Sequence, residues 1–146
     1  QEAFNMYPND DNIFQLYRIL TYGQERITKA ENLSTEAKTL FDTGEFSKAA
    51  KLYLAAFDQD PLQYTHSLNT ALSLYNIKDL ENALKYFNIS NSSKNPAVLE
   101  KALRFKGLAY ISSGDKQKGC AVFVQLYTKF PKRMYRQEFN KYCGAK

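Results

Sequence analysis

Apolar residues recur along this chain at the three- and four-residue intervals of an α-helix, and they do so in blocks that repeat. Leu40 and Phe41 close one block, and Phe46, Ala49, Ala50, Leu52, Tyr53, Ala56 and Phe57 form the next. That spacing puts each set on one helical face. Between the blocks stand Gly44, Lys78 and Gly114, positions where one helix ends and another starts. The blocks also superimpose. Ala37 falls over Ala71 and Gly107, Leu40 over Leu74 and Tyr110, Phe46 over Leu80, Ala49 over Ala83 and Gly119, and Tyr53 over Phe87 and Phe123. Small residues recur on small ones and large on large. The offset is 34 residues from Ala49 to Ala83 and 36 from Ala83 to Gly119, and the extra pair falls in the turn-rich NSSKNP at 91–96. An insertion in a loop leaves the helical register intact.

The pattern predicts an all-α single domain of three helix-turn-helix copies, 31–61, 64–96 and 97–131. Their helices are expected over 34–43 and 45–59, 62–76 and 79–90, and 96–113 and 116–129, with Pro96 suited to a first helical turn. Residues 1–11, with a proline and several turn formers, read as an extended arm whose Phe4, Met6 and Tyr7 can dock on a neighbour. A long N-terminal helix is expected over 12–30. A final helix over 134–143, within 132–146, should close the stack with Arg136, Glu138 and Lys141 toward water, as a terminal repeat requires.

A period of about 34 residues of helix, turn and helix resembles the tetratricopeptide repeat (TPR) family. The residues that carry the likeness are Ala37, Leu40, Gly44, Phe46, Ala49, Tyr53, Ala56 and Pro61 in the first copy. Ala71, Leu74, Leu80, Ala83 and Phe87 carry it in the second, and Gly107, Tyr110, Gly114, Phe123 and Pro131 in the third. Departures are Lys78 for the turn glycine, Ser90 for a late alanine and Gly119 for the central alanine, the last expected to loosen its helix by roughly 1 kcal/mol. The resemblance implies antiparallel helix pairs stacked in a right-handed superhelix, an α-solenoid whose first helices line a concave groove for a peptide. The groove positions it implies are Lys38, Phe41, Asn69, Leu72, Tyr75, Asn76, Lys101, Arg104 and Leu108. One subclass clamps a peptide's terminal carboxylate. Asn69 and Lys101 match that clamp, whereas Ser34, Lys38 and Phe105 depart from it, with Arg104 one place from the arginine position.

With 146 residues, 44% hydrophobic and 24% charged, the chain is long enough for one sizeable core. No apolar run approaches the ~20 residues of a membrane-spanning helix. The net charge of +5 gathers late, in Lys129, Lys132, Arg133, Arg136, Lys141 and Lys146. On a terminal helix without a nucleic-acid fold this is a solvated capping face, so no nucleic acid is expected as partner.

Catalysis is poorly supplied. His66 is the only histidine, expected at the surface or as a cap, and no hydrolase, metalloprotease or phosphate-loop motif occurs. No metal and no cofactor are expected. Cys120 and Cys143 either staple the last helix to the third copy through a disulfide or remain two buried thiols. A bridge fits an exported chain. The terminus at Gln1 fits signal-peptide cleavage as well as excision from a longer chain, and the late cysteine pair resembles exported bacterial repeat proteins. The expected compartment is periplasmic or secreted, with the cytoplasm as alternative. The function expected is a non-catalytic protein-interaction scaffold, monomeric or weakly oligomeric, holding a protein or acidic peptide. The alternative is an assembly subunit that makes its contacts through the N-terminal arm and the basic cap.

Overall fold

The computed structural model describes residues 11–144, whose regular structure is helical. The helices are α1 (Asp11–Tyr22), α2 (Gln24–Asp42), α3 (Phe46–Gln59), α4 (Tyr64–Asn76), α5 (Leu80–Ser90), α6 (Pro96–Ser112), α7 (Lys116–Lys129) and α8 (Arg133–Cys143). Three hairpins, α2/α3, α4/α5 and α6/α7, form the body. Each second helix also packs on the first helix that follows it: α3 on α4, α5 on α6 and α7 on α8. The proposed arm with Phe4, Met6 and Tyr7 lies outside the described residues, except that Asp11 is the first residue of α1.

All three hairpins turn the same way. Gly44, Lys78 and Gly114 adopt φ of +83°, +64° and +89°. The following N–H bonds back to Leu40, Leu74 and Tyr110 at 2.8, 3.0 and 2.9 Å, while that of the turn residue reaches Phe41, Tyr75 and Ile111. This pair of bonds is the Schellman closure, which satisfies carbonyls left over at a helix end. It favours glycine because a Cβ is crowded at positive φ, so Lys78 holds the second turn under strain.

Within each hairpin the helices cross at matched small residues. Ala37, Ala49, Ala71 and Ala83 have no solvent exposure, and Gly107 and Gly119 are buried at the third crossing. At Gly107 an added Cβ would stand 2.8 Å from the Phe123 ring, and at Gly119 it would meet Ile111 at 2.8 Å and the Gly107 carbonyl at 3.1 Å. Gly119 is therefore a fit to its surroundings as well as a weak helix former. Phe87 and Phe123, both fully buried, fill the gaps between neighbouring repeats. Ser90, the other departure, is also buried, and its hydroxyl meets that of Ser67 at 2.7 Å.

The N-terminal region is arranged differently from the expectation of one helix over 12–30. Gly23, at φ +88°, ends α1, and α2 then runs unbroken through Asn32 and Ser34, where the first copy was expected to start. Ile27, Ala30 and Ala37 continue one buried face along α2, so packing carries the helix past residues that favour a cap. Helix α1 is held to the repeats by a buried ion pair. The Arg18 guanidinium donates to both carboxylate oxygens of Asp60, at 3.1 Å from Nε and 2.7 Å from Nη2, and lies over the Phe14 ring. Removing either partner of such a pair costs about 3–5 kcal/mol, because the other charge is left buried alone.

At the other end, α8 is fastened at three places. A disulfide joins Cys120 to Cys143 and closes a separation of 23 residues, a constraint of about 3 kcal/mol on the unfolded chain. Glu100 on α6 accepts from Lys132 Nζ at 2.6 Å and from the Tyr135 hydroxyl, and Arg104 Nε donates to Glu138 at 2.9 Å.

Two substitutions test the turns and crossings. Gly107→Ala, despite its better helix propensity, should lower stability by about 1–3 kcal/mol through overpacking against Phe123. Lys78→Gly should raise it by about 1 kcal/mol by relieving the positive φ. Urea unfolding followed by circular dichroism measures both.

Candidate functional site

The residues expected in the groove sit on first helices α2, α4 and α6, and the structure divides them between core and surface. Leu72 is buried with Leu68 and Ala71, and Phe41 and Tyr75 pack against that same cluster. Tyr75 meets the Phe105 ring edge-on at 5.6 Å, and Phe105 in turn stacks on Phe87 at 6.4 Å. An aromatic layer thus links α4, α5 and α6. Leu108 packs against a separate cluster around Leu103 and Phe123. Asn76 is exposed and turns its amide onto the Leu72 carbonyl at 2.8 Å, while Asn69 is half-buried.

The expected cations are not equivalent. Lys38 is tied to Asp42, one helical turn on, at 2.7 Å. Arg104, read from sequence as available to a partner, is occupied by Glu138. The reason is that α8 lies beside α6 and presents Glu138 to it, rather than turning that carboxylate to water as expected. Lys101 is exposed and makes no ion pair among the described residues. Phe105, at the position the resemblance gives to a clamp arginine, fills the aromatic layer instead.

Sequence reasoning missed the contribution of α8. Its Tyr142 stacks on Phe123 at 5.9 Å, as Phe105 stacks on Phe87. Helix α8 therefore stands to α7 as α6 stands to α5, in the place of a further first helix. Between α6 and α8 lies a cleft of about 370 Å³ lined by Arg104, Leu108, Met134, Glu138, Lys141 and Tyr142, with Gln137 beside them. The signal in the sequence was the helical spacing of Tyr135, Phe139 and Tyr142, an apolar face on an otherwise polar helix. At the far edge, the Glu100 carboxyl is held below its usual range by the hydrogen bonds from Lys132 and Tyr135. Burial and then the Glu100 bond push the Tyr135 hydroxyl up to about 12.

His66, expected at the surface, is buried at 6% exposure in the first turn of α4. Neither ring nitrogen has a hydrogen-bond partner among the described residues. Burial lowers its pKa to about 4, with nearby Asp60 opposing and Arg18 assisting. A ring held neutral inside the fold, without a partner to orient it, is a packing group. No cluster of three or more His, Cys, Asp or Glu side chains suited to a metal occurs among the described residues, and none of their helices is long and apolar enough to cross a membrane.

Burial of His66 has a consequence in acid. The unfolded ring binds a proton near pH 6.5 and the folded one only near pH 4, so the unfolded chain holds more protons between these values. Stability should therefore fall by about 3 kcal/mol as pH drops through that window. Denaturant unfolding of wild type and His66→Leu at pH 7, 5.5 and 4.5 measures it, and the variant should show the shallower decline.

Comparison with known proteins agrees with this architecture. No curated protein sequence matches the chain. Among the solved structures that share its fold are three tetratricopeptide-type domains. The first TPR domain of Spaghetti (RPAP3), bound to the HSP90 peptide SRMEEVD, aligns over 79% of this chain and 90% of its own at 20% identity and TM-score 0.71. The OM64 TPR domain of Arabidopsis aligns over 80% and 94% at 15% identity and 0.70. The N-terminal domain of stress-induced protein-1 (STI-1) from C. elegans aligns over 80% and 95% at 16% identity and 0.72. Residues 34–96, from the later half of α2 through α3, α4 and α5 to the first residue of α6, match the tetratricopeptide repeat family model. With the same helix pairs, turns and small-residue crossings running on through the third copy, the chain has the fold of tetratricopeptide repeat domains over all three hairpins, and 34–96 carry the family's sequence pattern.

Proposed function

We propose that this chain is a non-catalytic interaction scaffold that holds a partner protein or an extended peptide on the face formed by its first helices. The observation that carries this reading is the arrangement on α4 and α6. A fixed aromatic layer of Tyr75 and Phe105 lies beside Lys101, which is exposed and has no carboxylate partner among the described residues. An apolar platform next to an unspent cation suits an acidic segment, through attraction plus burial of an anchor side chain. One solved structure of the same fold holds an acidic peptide, SRMEEVD, which supports the mode of binding. The peptide is read along Lys38, Phe41, Asn69, Tyr75, Asn76 and Lys101, with Leu72 as support beneath and Arg104 and Leu108 at the α8 end. With Phe105 in the arginine place, recognition falls on internal acidic residues more than on a terminal carboxylate.

The disulfide between Cys120 and Cys143 supports an oxidising location, periplasmic or secreted, since such bonds are rare where cellular thiols keep cysteines reduced.

Affinity capture from soluble and envelope fractions of the source cell, read by mass spectrometry, tests the reading. Wild type is compared with Lys101→Glu, a change at an exposed position that leaves helicity intact. A partner retained by wild type and reduced about tenfold on the variant is the expected result, since one attraction becomes a repulsion. A partner kept equally by both would move recognition to the ends of the molecule and favour the assembly reading.

A further inference from the structure

Four helices, not three, form the first-helix side of this molecule. Helix α8 takes the position of a further first helix, as the stacking of Tyr142 on Phe123 shows. The cleft between it and α6 is lined by those two helices alone, with no residue of α7. It therefore opens on the side away from the second helices, continuous with the face of α4 and α6. At about 370 Å³ it falls within the range of ligand pockets. Its floor is apolar and adaptable. Leu108 and Tyr142 are half-buried, and Met134, an unbranched and polarisable side chain suited to irregular partners, is 41% exposed.

The charges around this floor are unequal. Arg104 and Lys141 are cationic and Glu138 anionic, and Glu138 is bonded to Arg104. That leaves Lys141, exposed and resting over the Tyr142 ring at 5.0 Å, with no carboxylate among the described residues. Lys101 continues the stripe of Arg104 and Leu108 one turn toward the start of α6, and it too is unpaired there. Two free cations thus flank an apolar hollow whose one anion is already neutralised.

We propose that the α6–α8 cleft is a docking site for an acidic segment of a partner protein, which inserts one aliphatic or aromatic side chain between Leu108, Met134 and Tyr142 and sets its carboxylates on Lys141 and Lys101. The proposal rests on the scaffold reading above and extends it to a helix outside the three repeats. It also makes binding depend on the disulfide, because α8 supplies half of the cleft and Cys120–Cys143 holds its end.

The test is a nuclear magnetic resonance titration of the oxidised, isotope-labelled chain with two blocked hexapeptides, Glu-Glu-Leu-Phe-Glu-Glu and its charge-reversed form Lys-Lys-Leu-Phe-Lys-Lys. The acidic peptide should shift amides of Leu108, Met134, Lys141 and Tyr142, and the basic peptide should not. Lys141→Glu and Met134→Glu, both at exposed positions, should each weaken the acidic peptide about tenfold while leaving the spectrum otherwise folded. Shifts confined to α2 and α4 would overturn the cleft as the site while leaving the scaffold reading standing. Equal shifts by both peptides, or none by either, would overturn the proposal, and the capture experiment above would then decide the scaffold reading by itself.

Discussion

The close crossing of paired helices at small residues is the constraint on which the rest of this structure depends. Ala37 against Ala49, Ala71 against Ala83 and Gly107 against Gly119 let two backbones approach until only a methyl group or nothing stands between them. Interiors packed at crystal density transmit such a choice to their neighbours. A short interhelical distance within each hairpin leaves the larger gaps between hairpins, and there Phe87 and Phe123 are completely enclosed. The aromatic ladder that carries the candidate binding face, Tyr75 on Phe105 and Phe105 on Phe87, follows from that spacing. The groove is thus a product of where the chain is small.

This division between small crossings and large fillers made most of the fold legible from one sequence. Three copies of the same pattern, displaced by a constant interval except for a loop insertion, placed six of the eight described helices to within a few residues, apart from the start of α2. The final helix, expected over 134–143, runs Arg133–Cys143, so the misplaced element is the N-terminal one. Gly23 breaks the N-terminal stretch at a positive φ, and nothing in the local sequence distinguishes it from a glycine tolerated in a helix. Asn32 and Ser34 resemble a cap, yet Ile27 and Ala30 have tertiary neighbours to pack against, and burial overrides the local preference.

The candidate site was less legible because side-chain pairing across elements is not periodic. That Arg104 is an exposed first-helix cation follows from the repeat, but its partner Glu138 lies 34 residues away on a helix with no second half. The same limit hid the burial of His66, whose surroundings include Arg18 and Asp60, 42 residues apart in the chain. Lys78 and Ser90, which depart from the family pattern, are accommodated by different physics. Lys78 accepts conformational strain, whereas Ser90 finds a hydroxyl partner in Ser67.

A stack of this kind presents one continuous side made of first helices, and here α8 extends it by a fourth. Recognition is proposed to take place on that side. Hydrogen–deuterium exchange of the oxidised chain, alone and with its captured partner, reads this most directly. Binding there should slow exchange in α4, α6 and α8 and leave α5 and α7 unchanged. Slowing concentrated in α1, or in α3, α5 and α7, would contradict it and place the interface on an end or on the opposite side.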